Sequence, residues 1–188
     1  AQAYIGRGIF YYKLQKWELA ESDFTKAISL NPNDAKAYYN RGFFYYNLQK
    51  WELAESDFTK AISLNPHYAL AYYNRGNLYY NLQKWELAES DYTKAIEINP
   101  KLASAYNNRG NLYKNQQKWE LAESDYTKAI EINPKYADAY NNRGSVYYQL
   151  KQTEKAVIDL KKAAELFRQQ GNMAAYEKVM QALQQIGV

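Results

Sequence analysis

Along residues 35–68, packing-type positions recur at three- and four-residue steps. Tyr38, Arg41, Gly42, Tyr45 and Leu48 form one such series, and Leu53, Ala54, Asp57, Phe58, Ala61 and Ile62 form a second. This spacing predicts two amphipathic helices. Between them lies Asn47-Leu48-Gln49-Lys50-Trp51, and the second series stops at Asn65-Pro66. Proline restricts the residue before it and cannot continue a helix interior, so this pair marks the helix end. The unit is therefore a helical hairpin. Gly42 and Ala54 carry little or no side chain and let its two helices approach closely, which offsets glycine's helix penalty of roughly 1 kcal/mol.

The hairpin repeats along the chain. Trp17, Trp51, Trp85 and Trp119 stand 34 residues apart, as do Pro32, Pro66, Pro100 and Pro134. Glycine (Gly8, Gly42, Gly76, Gly110, Gly144) and alanine (Ala20, Ala54, Ala88, Ala122, Ala156) keep the same period. Segments 69–102 and 103–136 differ only at Leu70/Ser104, Tyr73/Asn107, Tyr80/Lys114, Leu82/Gln116 and Leu102/Tyr136. Such self-similarity is the signature of a repeat architecture. The units are 1–34, 35–68, 69–102, 103–136 and 137–170. Residues 171–188 hold a further helix, about 173–186, opened by the stop and cap signals Gly171-Asn172. Its stripe Met173, Tyr176, Val179, Met180, Leu183 and Ile186 is expected to cover the last hairpin. Two helices per unit and this cap make eleven in an all-α solenoid. The C-terminus reads as a true end. The N-terminus begins in mid-register, which fits a fragment of a longer array or, given the near-identical units, a consensus design.

The spacing, with Gly42, Tyr45, Ala54, Phe58, Ala61 and Pro66 in register, resembles the tetratricopeptide repeat family, in its bacterial-type form with Asn-Arg-Gly on the first helix. The resemblance covers residues 1–170. It implies a right-handed superhelix whose first helices line a concave groove that holds part of another protein. Two positions depart from the family pattern. Tyr4, Tyr38, Tyr72, Tyr106 and Tyr140 replace its usual tryptophan, and Arg7, Arg41, Arg75, Arg109 and Arg143 its usual leucine. Asp23, Asp57, Asp91, Asp125 and Asp159 recur too, so an Arg–Asp pair between the helices of each hairpin gives the arginine a structural use.

Positions that vary between otherwise identical units are released from packing and mark candidate binding surface. On the first helices these rows run Ile5, Tyr39, Tyr73, Asn107, Asn141; then Ile9, Phe43, Asn77, Asn111, Ser145; then Tyr12, Tyr46, Tyr80, Lys114, Tyr148. The N-terminal part is apolar and the C-terminal part rich in amides. A ligand is thus expected to turn its apolar portion towards Ile5, Ile9, Tyr12, Tyr39, Phe43 and Tyr46. The alternative is that these rings pack between neighbouring first helices. Asn40, Asn74, Asn108 and Asn142 recur on the same face. Amides of this kind hold peptide main chain in the family, or else they bond the neighbouring hairpin. The family's clamp for a C-terminal carboxylate is not expected, because its set of lysines and arginine is missing.

Composition narrows the function. There is no cysteine, which excludes disulfides, thiolate metal sites and cysteine nucleophiles. The single histidine, His67, follows Pro66 in a connecting loop, and the carboxylates Glu52, Glu55 and Asp57 repeat along the second helices as a solvated face instead of converging. No phosphate loop or metal-ligand spacing appears, so neither an enzyme nor a cofactor is implied. No stretch approaches the ~20 apolar residues that span a bilayer, and the expectation is a soluble, by default cytoplasmic, protein without membrane partners. The net charge of +4 is mild, with no basic stripe for nucleic acid. The function expected is a scaffold that binds a peptide or helix of another protein. Two alternatives are a single-stranded RNA-binding repeat and self-association through an uncovered N-terminal repeat at Ile9, Phe10 and Phe44.

Overall fold

The computed structural model describes residues 1–187. Among them are eleven helices and no strand: α1 Gln2–Lys13, α2 Trp17–Leu30, α3 Ala35–Asn47, α4 Trp51–Leu64, α5 Ala69–Asn81, α6 Trp85–Ile98, α7 Ala103–Asn115, α8 Trp119–Ile132, α9 Ala137–Gln149, α10 Thr153–Gln169 and α11 Met173–Ile186. They gather into two compact units, the first spanning Ala1–Asn99 and the second beginning at Pro100. The first holds three hairpins, and the second holds two hairpins and α11.

The two connections of each repeat have different physics. Within a hairpin, Gln15, Gln49, Gln83, Gln117 and Lys151 adopt φ near +57° to +59°, the left-handed region. There the amide of Lys50 donates to the carbonyl of Tyr45 and that of Gln49 to Tyr46, which closes a Schellman end on the first helix. Between hairpins, Asn31 and Asn65 sit extended before proline. Their side-chain oxygens accept from the amides of Asn33 and His67, which bends the chain into the next first helix. Asp34 then caps α3 by accepting from Lys36 at 2.9 Å.

Each hairpin closes on an aromatic or leucine side chain placed against the glycine of its first helix. A Cβ at Gly8 would stand 2.8 Å from the Phe24 ring, one at Gly76 2.8 Å from Tyr92 and one at Gly110 2.7 Å from Tyr126. The larger partner is thus the ring or leucine one turn beyond the Ala20-type alanines, which are themselves fully buried. Beside this contact the recurring arginine and aspartate form a two-pronged pair. Arg75 Nε and Nη2 donate to Asp91 at 2.7 and 2.9 Å, and Arg7–Asp23, Arg41–Asp57, Arg109–Asp125 and Arg143–Asp159 repeat it. The aspartates are buried. Arg41, Arg75 and Arg143 each give a further N–H to the threonine of the preceding hairpin, Thr25, Thr59 or Thr127. The pair therefore ties successive hairpins as well as its own helices.

Several outer positions differ from the expectation. Leu53 and its counterparts Leu19, Leu87 and Leu121 are about half exposed, because one step further round the helix Ala54 takes the contact. Glu55 is not an idle surface carboxylate. It accepts from the Tyr79 hydroxyl of the next hairpin at 3.0 Å and lies 3.7 Å from Lys84, while Asp57 is buried in its pair. Phe44 is also covered, at 1% exposure, by Phe24 and Tyr12; only Phe10 of the expected N-terminal patch is widely open. In the second unit Val179 and Leu183 of α11 pack on Leu160, Ala163, Leu166 and Phe167 of α10, with Tyr176 and Ile186 at the margin. Met173 and Met180 were expected in this contact, yet they stand 48% and 36% exposed. They lie seven residues apart on one flank of the helix, roughly a quarter-turn round from the centre of the stripe Tyr176, Val179, Leu183 and Ile186.

Candidate functional site

In the first unit α1, α3 and α5 pack in sequence, and their candidate residues divide into core, braced and open positions. Ile5 belongs to the core with Ala27 and Ala37, and Ile9 lies partly buried against the same cluster. Tyr12 is wedged against Trp17, with Phe43 and Phe44 at its edges. Tyr46 repeats the arrangement on Trp51, and its hydroxyl accepts from Asn81 at 2.9 Å. Phe43 is 37% exposed and stacks beside Tyr39, whose ring also meets Tyr68 with centroids 4.8 Å apart. Burial pushes the Tyr39 hydroxyl above its ordinary titration range, against the opposing pull of the Asn74 amide. Tyr73 is half-buried over Tyr92. Aromatic packing between first helices and an open ring at Phe43 therefore coexist.

The recurring asparagines are not equivalent. Asn74 is buried and donates to Tyr39 Oη at 2.9 Å, so it bonds the neighbouring first helix. Asn40 turns to its own helix, donating to the Lys36 carbonyl at 2.7 Å. Asn77 accepts from the Tyr92 hydroxyl at 2.9 Å. A residue type repeated at one position thus has its surroundings set by the varying row beside it.

In the second unit α7 and α9 carry the amides. Asn107 is buried and accepts from Asn142 at 3.3 Å while donating to Asn108 at 3.2 Å. Asn111 accepts from the Tyr126 hydroxyl at 2.7 Å. Asn141 and Asn142 line a cavity of about 210 Å³ together with Lys114, Ser145, Leu160 and Ile186. The Lys114 ammonium donates to Asn142 Oδ1 at 3.3 Å, and burial holds it below the ordinary lysine range. Wider recesses of about 600 and 580 Å³ lie along Tyr72, Arg75 and Asp91 and along Tyr106, Arg109 and Asp125. They recur with the Arg–Asp pairs and are a by-product of the repeat, whereas the cavity at Lys114 is lined in part by Lys114, Asn141 and Ser145, from rows that vary.

Ties between hairpins are not evident from the helical pattern. Tyr45 donates to Glu21 at 2.8 Å, as Tyr79 does to Glu55, and these contacts with burial push both hydroxyls up to about 12. The signal was present, since the tyrosine and the glutamate share the 34-residue period and stand 24 apart in every unit but the last. Among the described residues no cluster of three metal-ligating side chains occurs. None of the described helices is long and apolar enough to cross a membrane.

The architecture is that of an all-α protein of repeated helical hairpins, each closed by a small residue against a large one. The tetratricopeptide repeat profile matches residues 1–34, 35–68, 69–102 and 103–136 in succession, and a second profile of the same description matches 125–158. The chain belongs to the tetratricopeptide repeat family. No curated protein sequence matches it significantly. Among solved structures it is similar to MamA (24% identity, TM-score 0.79, covering 88% of this chain and 96% of that one). It is similar also to YrrB, described as a tetratricopeptide repeat protein with an unusual peptide-binding site (27% identity, TM-score 0.71, covering 93% and 89%). PilF of Pseudomonas aeruginosa shares the fold at 17% identity (TM-score 0.78, covering 98% and 90%).

Proposed function

We propose that this protein is an interaction scaffold and that its first-helix face binds an extended peptide or helix of a partner. The observation that carries the reading is Phe43. It is a large ring left 37% exposed beside Tyr39, at a row that varies while the packing rows stay fixed. Solvent-facing rings braced by neighbours lose little conformational freedom on binding, which suits them as anchors. Tyr12 and Tyr39 pack against that ring, and Asn77 in the same unit offers an amide suited to main chain. The second unit, taken by itself, offers amides of the same kind at Asn108, Asn111, Asn141 and Asn142. YrrB, similar in fold and described as having an unusual peptide-binding site, supports a peptide as the kind of ligand.

The test is affinity for a peptide selected from a randomised library against the intact chain. Tyr39→Ala with Phe43→Ala should weaken binding by roughly 2 kcal/mol or more. Glu52→Ala, on the exposed outer side, should change it by less than about 0.5 kcal/mol. Glu55 is unsuitable as this control because it braces Tyr79. Binding that survives the double change and is abolished by the outer one would refute the reading.

A further inference from the structure

Within each unit one set of side chains ties a hairpin to the hairpin before it. Glu21 and Thr25 of α2 serve α3: Arg41 donates to the threonine hydroxyl at 3.2 Å, Tyr45 donates to the carboxylate at 2.8 Å, and Lys50 lies 3.5 Å from it. Glu55 and Thr59 of α4 receive Tyr79, Lys84 and Arg75 in the same way, and Glu123 and Thr127 of α8 receive Tyr147 and Arg143. At the first of these junctions Phe44 also packs on Phe24, with centroids 5.8 Å apart. The supplying helix therefore carries Glu-x-x-aromatic-Thr. Its glutamate and threonine, four residues apart, share one face, and the earlier of them meets the later residue of the receiving helix, so the two helices run antiparallel.

The receiving half of this set stands on α1 with nothing to receive. Arg7, Phe10, Tyr11 and Lys16 occupy the positions of Arg41, Phe44, Tyr45 and Lys50, one period earlier. Phe10 is 57% exposed where Phe44 is 1%, and the Arg7 side chain is 55% exposed where those of Arg41, Arg75 and Arg143 are 16–19%. Arg7 keeps its two bonds to Asp23, but among the described residues no threonine takes its remaining N–H groups and no carboxylate takes Tyr11 or Lys16. Leu14, half exposed, extends the apolar part. At about 100° per residue, Arg7, Phe10 and Leu14 lie on the side of α1 opposite Ile5, Ile9 and Tyr12. The surface is thus separate from the first-helix face assigned above to a peptide.

We propose that this side of α1 docks an amphipathic helix of another molecule, antiparallel to α1, that carries a glutamate for Tyr11 and Lys16, an aromatic residue three positions later for Phe10, and a threonine next to it for Arg7. Lys16 and the outer edge of the Arg7 guanidinium make the face cationic, so a carboxylate is the complementary group. A second copy stacked end on end fits poorly. Its α10 has Val157, Leu160 and Lys161 at the glutamate, aromatic and threonine positions, which would set Lys161 against Arg7. That helix is moreover covered by Val179 and Leu183 of α11. In α2, α4 and α8 the motif is present but already engaged by the following hairpin.

The probe is the α2 sequence Trp17–Leu30 as an acetylated and amidated peptide, held helical by a hydrocarbon link between positions 22 and 26, which are exposed in the hairpin. Titrated into the full chain and followed by NMR, it should shift the backbone amides of Arg7, Phe10, Tyr11 and Leu14 and leave those of Phe43 and Tyr46 in place. Its Glu21→Gln form should bind about tenfold more weakly. A peptide of α10, residues 153–166, linked at the equivalent positions 158 and 162, should bind at least tenfold more weakly than the α2 peptide. In the chain, Phe10→Ala should weaken the α2 peptide about tenfold and leave the urea midpoint unchanged, because that ring is already in water. No shift on α1 up to about 1 mM peptide, shifts centred on Phe43, or equal affinity of the Glu21→Gln form or of the α10 peptide would overturn the inference. So would a chain that dimerises by itself in sedimentation equilibrium and becomes monomeric in Phe10→Ala, since a second copy would then be the occupant.

Discussion

Two glycines on one helix should respond to the same substitution with opposite sign. Gly6 and Gly8 both lie inside α1. A Cβ at Gly6 meets nothing within 4 Å, whereas one at Gly8 would stand 2.8, 2.9 and 3.1 Å from three ring atoms of Phe24. Alanine gains about 1 kcal/mol of helix propensity at either position. At Gly6 nothing opposes the gain, so Gly6→Ala should stabilise by about 0.5–1 kcal/mol. At Gly8 the ring cannot yield easily, because Phe24 is 2% exposed and packed on Phe44 with centroids 5.8 Å apart. Overpacking of this kind costs about 1–3 kcal/mol, which outweighs the propensity gain and leaves a net loss of about 1 kcal/mol. The two variants should therefore differ by about 2 kcal/mol. Because hairpins of a repeat array open in part independently, the readout is amide hydrogen exchange of α1 and α2 alongside the urea midpoint. Stabilisation by Gly8→Ala equal to that by Gly6→Ala would refute the close-contact argument.

Arg75→Met leaves Asp91 buried without its partner and should destabilise by about 3–5 kcal/mol in urea, while Arg75→Met with Asp91→Leu should recover most of that loss. Leu183→Asp should cost several kcal/mol, confined to α10 and α11 in hydrogen exchange, whereas Met180→Asp should change stability by under about 1 kcal/mol because that side chain is already open to water. Alkali offers a third check. Unfolded tyrosine loses its proton near pH ~10, and the Tyr45 and Tyr79 hydroxyls do so at about 12 in the folded chain. The folded state then holds more protons in between, so their contribution is intact below pH ~10 and is lost as pH rises to about 12. Urea midpoints across that window should fall less steeply in Tyr45→Phe with Tyr79→Phe than in the parent; equal slopes would contradict the assignment.

The hairpin, its period and its Arg–Asp pair were legible because each is written five times and in register. Gly42, Asp57 and Arg41 could be read from spacing alone, since a helix places residues three and four apart on one face. The face of α11 was legible only in part. Met173 and Met180 look like core by composition, and only the angle around the helix removes them from it. The amides were the least legible. Nothing local in Asn40, Asn74 and Asn142 says that one bonds its own helix, one a tyrosine hydroxyl and one a second asparagine. Those outcomes depend on Tyr39 or Asn107 reaching across from the preceding hairpin, which is a tertiary property. The glutamines at positive φ were hidden for a different reason, because glycine is the usual signal for that conformation and the chain does not use it there.

Which face of the hairpins meets a partner can be read side chain by side chain, by hydroxyl-radical footprinting of the selected peptide's complex. Phe43 on α3 and Leu53 on α4 are 37% and 47% exposed in the free chain, so both report. Binding on the first helices should protect Phe43 and Tyr39 while Leu53 and Leu87 keep their reactivity. Protection of Leu53 and Leu87 with Phe43 unchanged would place the partner on the second helices and contradict it.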